Sequence, residues 1–253
     1  VTARTLHLVV PAYNPGAALG EFLPTLLSAL RGAGKPHRVL VVDDGSAPDE
    51  AAAIQSLCEV LRHGYPTLLP PLVLPRNQGK GAAVYAGWGR AGAGELLGFI
   101  DADGSTGAPE LVRLREAWEE RRDPRTAVLA SRKRIPGRTV DCHLHRHLPG
   151  RVFAAGVQAL LRLGIHDTQC GCKLVPAEAY AAVKPQLVEA GFIFDVELLA
   201  RLRHSGVKLL ELPVDWSDLG RSTVRFTRDI PAMGFGLLRI RLRMAEQKKR
   251  EGS

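Results

Sequence analysis

Asp101 and Asp103 stand one residue apart, where the apolar run Gly98-Phe99-Ile100 gives way to the turn residues Gly104-Ser105-Thr106. Alternate residues along a strand point the same way, so two carboxylates at this spacing converge just past the strand's end. Hard oxygen ligands with open positions beside them suit a divalent cation shared with a diphosphate. Lys80 leans toward the same chemistry. It lies between Gly79 and Gly81 at the start of a helical pattern, where free N–H groups and the helix dipole favour an anion. The spacing is not that of a P-loop. Positive charge gathers again from Lys133 to Arg151, which lacks apolar periodicity and reads as a cationic loop, with a helix expected from Val152 to Leu163. Cys142, His143, His145 and His147 within it do not have zinc-ligand spacing.

The elements that must position these residues alternate. Leu6–Val10, Arg38–Val42, Leu72–Leu74, Leu96–Ile100, Ala127–Ala130 and Leu209–Val214 are short apolar runs, each stopped by polar or turn residues. Between them lie helical patterns, the clearest from Ala17 to Leu30 with Leu19, Phe22, Leu23, Leu26, Leu27 and Leu30 on one face. Such alternation predicts a mostly parallel sheet flanked by helices, whose ligands bind beyond the carboxyl ends of the strands. Cys170 and Cys172 lack C-x-x-C spacing and read as packing residues. Asp195 and Glu197 fall in the first turn of a helix, where the dipole favours acids.

Composition bounds the rest. A chain of 253 residues, 45% of them apolar, can bury the core of one large α/β domain. Four cysteines make no disulfide framework, no apolar run reaches the ~20 residues of a membrane span, and the start reads as leaving no room for a signal peptide. The net charge of +8 calls for an anionic partner. No nucleic-acid-binding motif accompanies it, so nucleic acid is not expected. The loop after the first strand lacks G-x-G-x-x-G, which excludes a dinucleotide-dependent oxidoreductase. After Gly220 the chain turns basic and amphipathic, and Arg239–Arg250 holds six cations against Glu246 alone. Such a segment suits an anionic membrane surface or, equally, a solvated helix covering a sheet edge.

In order, V-V-P-A-Y-N (9–14), V-V-D-D-G-S (41–46), N-Q-G-K-G-A-A-V (77–84), D-A-D-G-S-T (101–106), S-R (131–132), D-T-Q-C-G-C-K-L (167–174), F-D-V-E-L-L (194–199) and L-P-V-D-W (212–216) resemble the family 2 glycosyltransferases of GT-A fold. Within that family the chain is most similar to the polyprenyl-phosphate sugar transferases, the dolichyl-phosphate glucose and mannose synthases. The resemblance covers nearly the whole chain and implies an α/β Rossmann-like GT-A domain over residues 1–220, with 221–253 as a basic segment at a membrane surface. It implies that Pro11, Tyr13, Asn14, Asp43 and Asp44 meet the nucleotide's base and ribose. Gly79, Lys80 and Ala102 belong to the donor side with Asp101 and Asp103, which hold Mg²⁺ or Mn²⁺, Ser105 being a further contact. Arg132, Arg146, Arg151 and Lys173 fall to the acceptor phosphate. Gln169 lies beside the reaction centre with Asp103 and Arg132, and Asp195 is the carboxylate left over if a base is needed.

The expected activity is inverting hexose transfer from a nucleotide sugar, UDP-glucose before GDP-mannose, to a polyprenyl or dolichyl phosphate. Transfer to a soluble polysaccharide and a non-catalytic sugar-nucleotide-binding module are the alternatives. The expected setting is peripheral, on the cytoplasmic side of a membrane, with a membrane partner subunit as a further candidate. Pro15-Gly16 replaces the family's acidic pair, Cys172 an aromatic and Gly150 a frequent serine, and the C-terminal transmembrane helices of many bacterial relatives are missing from this sequence.

Overall fold

The computed structural model describes residues 4–121, 123–141, 144–220 and 226–251, with side chains described outside 144–152, 226–231 and 248–251. The first half alternates as its apolar runs require: β1 (Leu6–Ala12), α1 (Ala17–Gly32), β2 (His37–Asp43), α2 (Pro48–Gly64), β3 (Leu72–Val73), α3 (Lys80–Trp88), β4 (Leu96–Ile100), α4 (Ala108–Arg121) and β5 (Thr126–Ser131). There follow β6 (Val140–Asp141), α5 (Leu144–Leu161), β7 (Cys172–Pro176), α6 (Ala177–Val183), a 3-10 turn (Lys184–Gln186), α7 (Phe194–His204), β8 (Lys208–Pro213), β9 (Trp216–Ser217) and α8 (Phe226–Glu251). The six apolar positions of α1 named above are all buried, as their 3.6-residue spacing demands. In α2, Pro48 opens the helix and Asp49 and Glu50 occupy its first turn, where a missing N–H costs nothing and negative charge is favoured.

Seven strands form one sheet in the order β3-β2-β1-β4-β7-β5-β8. All neighbours are parallel except β7, which runs antiparallel to both β4 and β5. That reversal matters for the site. Cys172, the first residue of β7, lies opposite Ile100, the last of β4, so residues 167–171 arrive at the edge where Asp101 begins. The loops that follow β1, β2, β4, β5 and β8 leave from the same edge, as expected for a sheet that binds ligands at its carboxyl ends. One apolar layer packs α1, α2 and α4 beneath the sheet, and a second packs α3, α6 and α7 above it.

The stretch expected as a cationic loop is partly ordered. β6 pairs in parallel with β9, and α5 begins at Leu144, well before Val152. Arg138 reaches Glu110 and Asp215, both at 3.0 Å, and Asp215 accepts a hydrogen bond from the Thr139 backbone at 2.7 Å. Two-residue strands are too short to show alternation. The first turns of α5 carry His, Arg and Pro in place of the apolar positions that announce a helix. Cys142, His143 and Arg221–Arg225 lie outside the described residues.

Candidate active site

β4 is buried along its whole length and stops at Ile100, just before Asp101, as the apolar run predicted. The Asp101 backbone donates to Gly171 O at 2.8 Å, tying the end of β4 to the segment before β7. Lys80, from the first turn of α3, places its Nζ 2.6 Å from Asp101 Oδ1. Burial by itself would lower the Lys80 pKa, but Asp101, Asp195 and Asp103 outweigh it and hold the ammonium charged. Asp103 is raised above the ordinary carboxylate range by burial first and by Asp101 second, while its Oδ1 accepts from the Ser105 backbone at 2.9 Å. Two carboxylates that resist sharing a site in this way attract a cation.

The residues fit a divalent ion in a particular manner. Among the described residues no group of three or more His, Cys, Asp or Glu side chains could hold a metal. Asp101 and Asp103 could supply two hard oxygens, leaving the other positions of such an ion to phosphate oxygens and water. Mg²⁺ and Mn²⁺ bind nucleotides in this way.

Beneath this pair lies an arrangement the sequence did not announce. Lys173 was expected on the acceptor phosphate. Instead it is fully buried, with its Nζ 3.0 Å from Asp195 Oδ1 and 2.7 Å from Cys170 O. A phosphate outside cannot touch it, so its effect is to fix the 167–171 segment and Asp195. Asp195 is itself 1% exposed, and burial raises its pKa against the pull of Lys173 and Lys80. It holds cations from below and has no open face toward a nucleophile. The Phe99 ring lies 5.2 Å from both ammonium groups, and the Phe194 ring also faces Lys80. Cys170 and Cys172 are buried free thiols, pushed upward in pKa by that burial, as the packing reading expected.

The loops that follow β2 and lead into α3 are braced by two carboxylates with different duties. Asp44 accepts from the Gln78 and Gly79 backbones, both at 2.8 Å, and so fixes the approach to α3. Gly79 takes φ +101, and a Cβ there would sit 2.6 Å from Ala190 O, so only glycine fits. Asp43 accepts from Ser46 N through Oδ1, while its Oδ2 is buried with no hydrogen-bond partner among the described residues. Asn14, at φ +45, accepts from Ala47 N and donates from its own backbone to Ser46 Oγ. Tyr13 is exposed beside it and Pro11 half-buried.

Arg132 follows β5. Its Nε donates to Asp167 Oδ2 at 2.7 Å and its guanidinium also donates to Asp167 Oδ1 at 2.9 Å. Burial would raise the Asp167 carboxyl, but Arg132 holds it well below the ordinary range. The guanidinium also lies 5.3 Å from the Trp216 ring centre, and Trp216 forms a backbone bridge with Thr106. Arg132 is thereby tied to the segment that carries Asp101 and Asp103. Gln169 lies on the same connection, its Nε2 buried and without a partner among the described residues. Asp167 and Trp216 were missed as partners of Arg132, because nothing local in sequence links positions so far apart. Ala102 is half-buried between the two aspartates. The side chains of Arg146 and Arg151 lie outside the described residues.

The glycosyl transferase family 2 model matches residues 7–183. The chain is 31% identical over 250 residues to the dolichyl-phosphate beta-glucosyltransferase of Homo sapiens, covering 95% of this chain and 76% of the human one. It is 27% identical over 239 residues to the glycosyltransferase AglD of Haloferax volcanii, covering 92% of this chain but 36% of that protein's length. Among solved structures, the glucosyl-3-phosphoglycerate synthase of Mycobacterium tuberculosis, in complex with Mn²⁺, UDP and glucosyl-3-phosphoglycerate, superposes with a TM-score of 0.63 at 16% identity. That match covers 94% of this chain and 78% of the other. With the family match covering more than half of the chain, Asp101 and Asp103 among its residues, the chain belongs to glycosyl transferase family 2 and is a glycosyltransferase of GT-A fold.

Proposed function

We propose that this chain transfers a hexose from a nucleoside-diphosphate sugar, UDP-glucose foremost, to a polyprenyl or dolichyl phosphate, with inversion at the anomeric carbon. One observation carries the reading. The Asp101–Asp103 pair has Lys80 against it, and Arg132 packs on Trp216, which bridges to Thr106 on the segment that follows the pair. An acidic pair with a lysine suits a metal-bound diphosphate; a guanidinium suits a second anion. The name of the human relative supports a lipid phosphate as that second anion. The ligands of the mycobacterial structure support a divalent metal and a uridine nucleotide, in that protein.

The chemistry then asks little proton transfer of the protein. A phosphate monoester has a second pKa of about 6, so the acceptor oxygen is already largely ionised at neutral pH. That oxygen forms the bond to the anomeric carbon as the bond to the diphosphate breaks, and the leaving diphosphate takes the electron pair. Asp101 and Asp103 would hold Mg²⁺ or Mn²⁺, which when bound stabilises charge on the departing diphosphate. Lys80 steadies the same phosphates. Asp44 keeps the Gln78–Gly79 loop in place, Asp43, fully buried, braces Ser46 from behind, Asn14 and Tyr13 face the nucleoside, and Gln169 lies beside the reaction centre. Arg132, oriented by Asp167, holds the acceptor anion against the donor's own negative charge.

Arg132→Ala should therefore raise the acceptor KM more than the donor KM. A lost charge-assisted hydrogen bond of roughly 1.5–3 kcal/mol corresponds to about a ten- to hundredfold rise. Arg132→Lys, which keeps the charge but loses the two-pronged grip on Asp167, should fall between. Steady-state kinetics with each substrate varied in turn decides it. A donor KM that suffers alone would move Arg132 to the diphosphate side.

A further inference from the structure

Helix α8 offers two faces with different tasks. On the inner face Leu237 and Ile240 are buried against Val157, Ile193, Val196 and Leu199. Beside them Arg243 reaches Glu189 at 2.7 Å and Glu197 at 3.0 Å, and Arg239 reaches Glu189 at 3.0 Å. Burial would raise Glu189, but these two arginines hold its pKa low. Part of the basic charge of the segment is thus consumed in fastening the helix to the domain. The outer face is different. Phe235, Leu238 and Leu242 are 67%, 50% and 63% exposed, and at spacings of three and four they form one stripe along the helix. A cleft of about 400 Å³, lined by Leu160, Leu161, Arg162 and Arg241, opens between α5 and α8. Among the described residues neither Arg162 nor Arg241 has an ion-pair partner.

From this juxtaposition we propose that the outer stripe of α8 and the Arg162–Arg241 cleft form a docking surface for the anionic phospholipids of a membrane. The proposal rests on the lipid-acceptor reading above and assigns the residues that bring the chain to that lipid. The charge and the apolar surface are complementary to one occupant. Two guanidinium groups with no ion-pair partner among the described residues suit lipid phosphates, and a neighbouring apolar stripe suits the acyl boundary just beneath them. No helix among the described residues is long and apolar enough to cross a membrane, so attachment through these residues would be at the surface.

The test uses the full chain and vesicles without any prenyl phosphate, made of phosphatidylcholine with or without phosphatidylglycerol. Co-sedimentation should be strong with phosphatidylglycerol, weak without it, and weakened by high salt. Arg162→Gln with Arg241→Gln should reduce binding to the anionic vesicles by about thirtyfold, the worth of two cations near such a surface. Phe235→Ser, Leu238→Ser and Leu242→Ser together should reduce binding to both kinds of vesicle. These positions are exposed, so both variants should keep the wild-type melting temperature and the wild-type kcat on a short, water-dispersible prenyl phosphate. Variants that bind vesicles as wild type does would overturn the proposal. So would a concentration-dependent dimer that the triple variant abolishes, since the stripe would then meet a second copy of the chain. If vesicle binding behaves as expected while no prenyl phosphate is glycosylated, the acceptor reading fails and the docking surface stands. Transfer to the short acceptor without vesicle binding has the opposite meaning.

Discussion

Asp103→Asn should lower turnover by about 10²-fold or more while leaving the fold intact. The geometry also gives this variant a second, opposite signature. Asp103 is half-buried and feels the charge of Asp101, and its raised pKa reflects the cost of keeping both carboxylates ionised. Asparagine has the same shape, and its Oδ1 can still accept from Ser105 N. Removing the charge relieves the repulsion, so the melting temperature should hold or rise as activity falls, the usual trade of stability against function at such sites. Chelation of divalent ions should abolish wild-type activity in parallel. Thermal melts beside initial rates measure both effects. A variant that melts early, or wild-type turnover that survives excess chelator, would remove Asp101 and Asp103 from the metal role.

Gly171→Ala should be nearly as damaging, for a steric reason. A Cβ at position 171 would lie 1.9 Å from Asp101 Oδ2 and 2.3 Å from its Cγ, far inside any allowed contact. Asp101 cannot turn away freely, because Lys80 grips Oδ1 at 2.6 Å. The 167–171 segment cannot retreat freely either, since Lys173 holds Cys170 O and Asp101 N holds Gly171 O. Overpacking of this kind costs about 1–3 kcal/mol of stability. Whichever side yields, the acidic pair loses its geometry, and donor affinity should fall with turnover. Gly191→Ala is the matched control. Nothing lies within 4 Å of its added Cβ, so it should behave as wild type in melts and kinetics. Wild-type donor affinity in Gly171→Ala would show that Asp101 is not held where its contacts put it.

Why some of this was legible in the chain and some was not follows from the kind of information each feature needs. β1, β2, β4 and β5 are buried on both faces, so each reads as a continuous apolar run with a polar stop. The acidic pair and the glycine-flanked lysine were visible because their chemistry is written within a few residues. The antiparallel insertion of β7 was not, since strand order depends on contacts between distant segments. Lys173 looked like a surface cation within a polar, glycine-bearing motif. Its burial depends on Asp195, twenty-two residues later, and on a strand position in the sheet interior. The arginines of α8 hid their partners in the same way. As bare charge they suited a membrane surface or a solvated helix equally, yet Arg239 and Arg243 answer buried Glu189 and Glu197, some fifty residues earlier. Only the outward side chains are left to meet another surface.

The most direct test of the account is a transfer assay on the purified chain with a panel of UDP- and GDP-sugars, a polyprenyl phosphate and Mg²⁺ or Mn²⁺, followed by NMR of the organic-soluble product. UDP-glucose with either cation should yield a lipid-phosphate glucose whose anomeric coupling is β, the inverse of the α-linked donor. Product that forms only from a GDP-sugar would contradict the donor assignment. Sugar that reaches water-soluble acceptors but never the lipid phosphate would contradict transfer to a lipid phosphate.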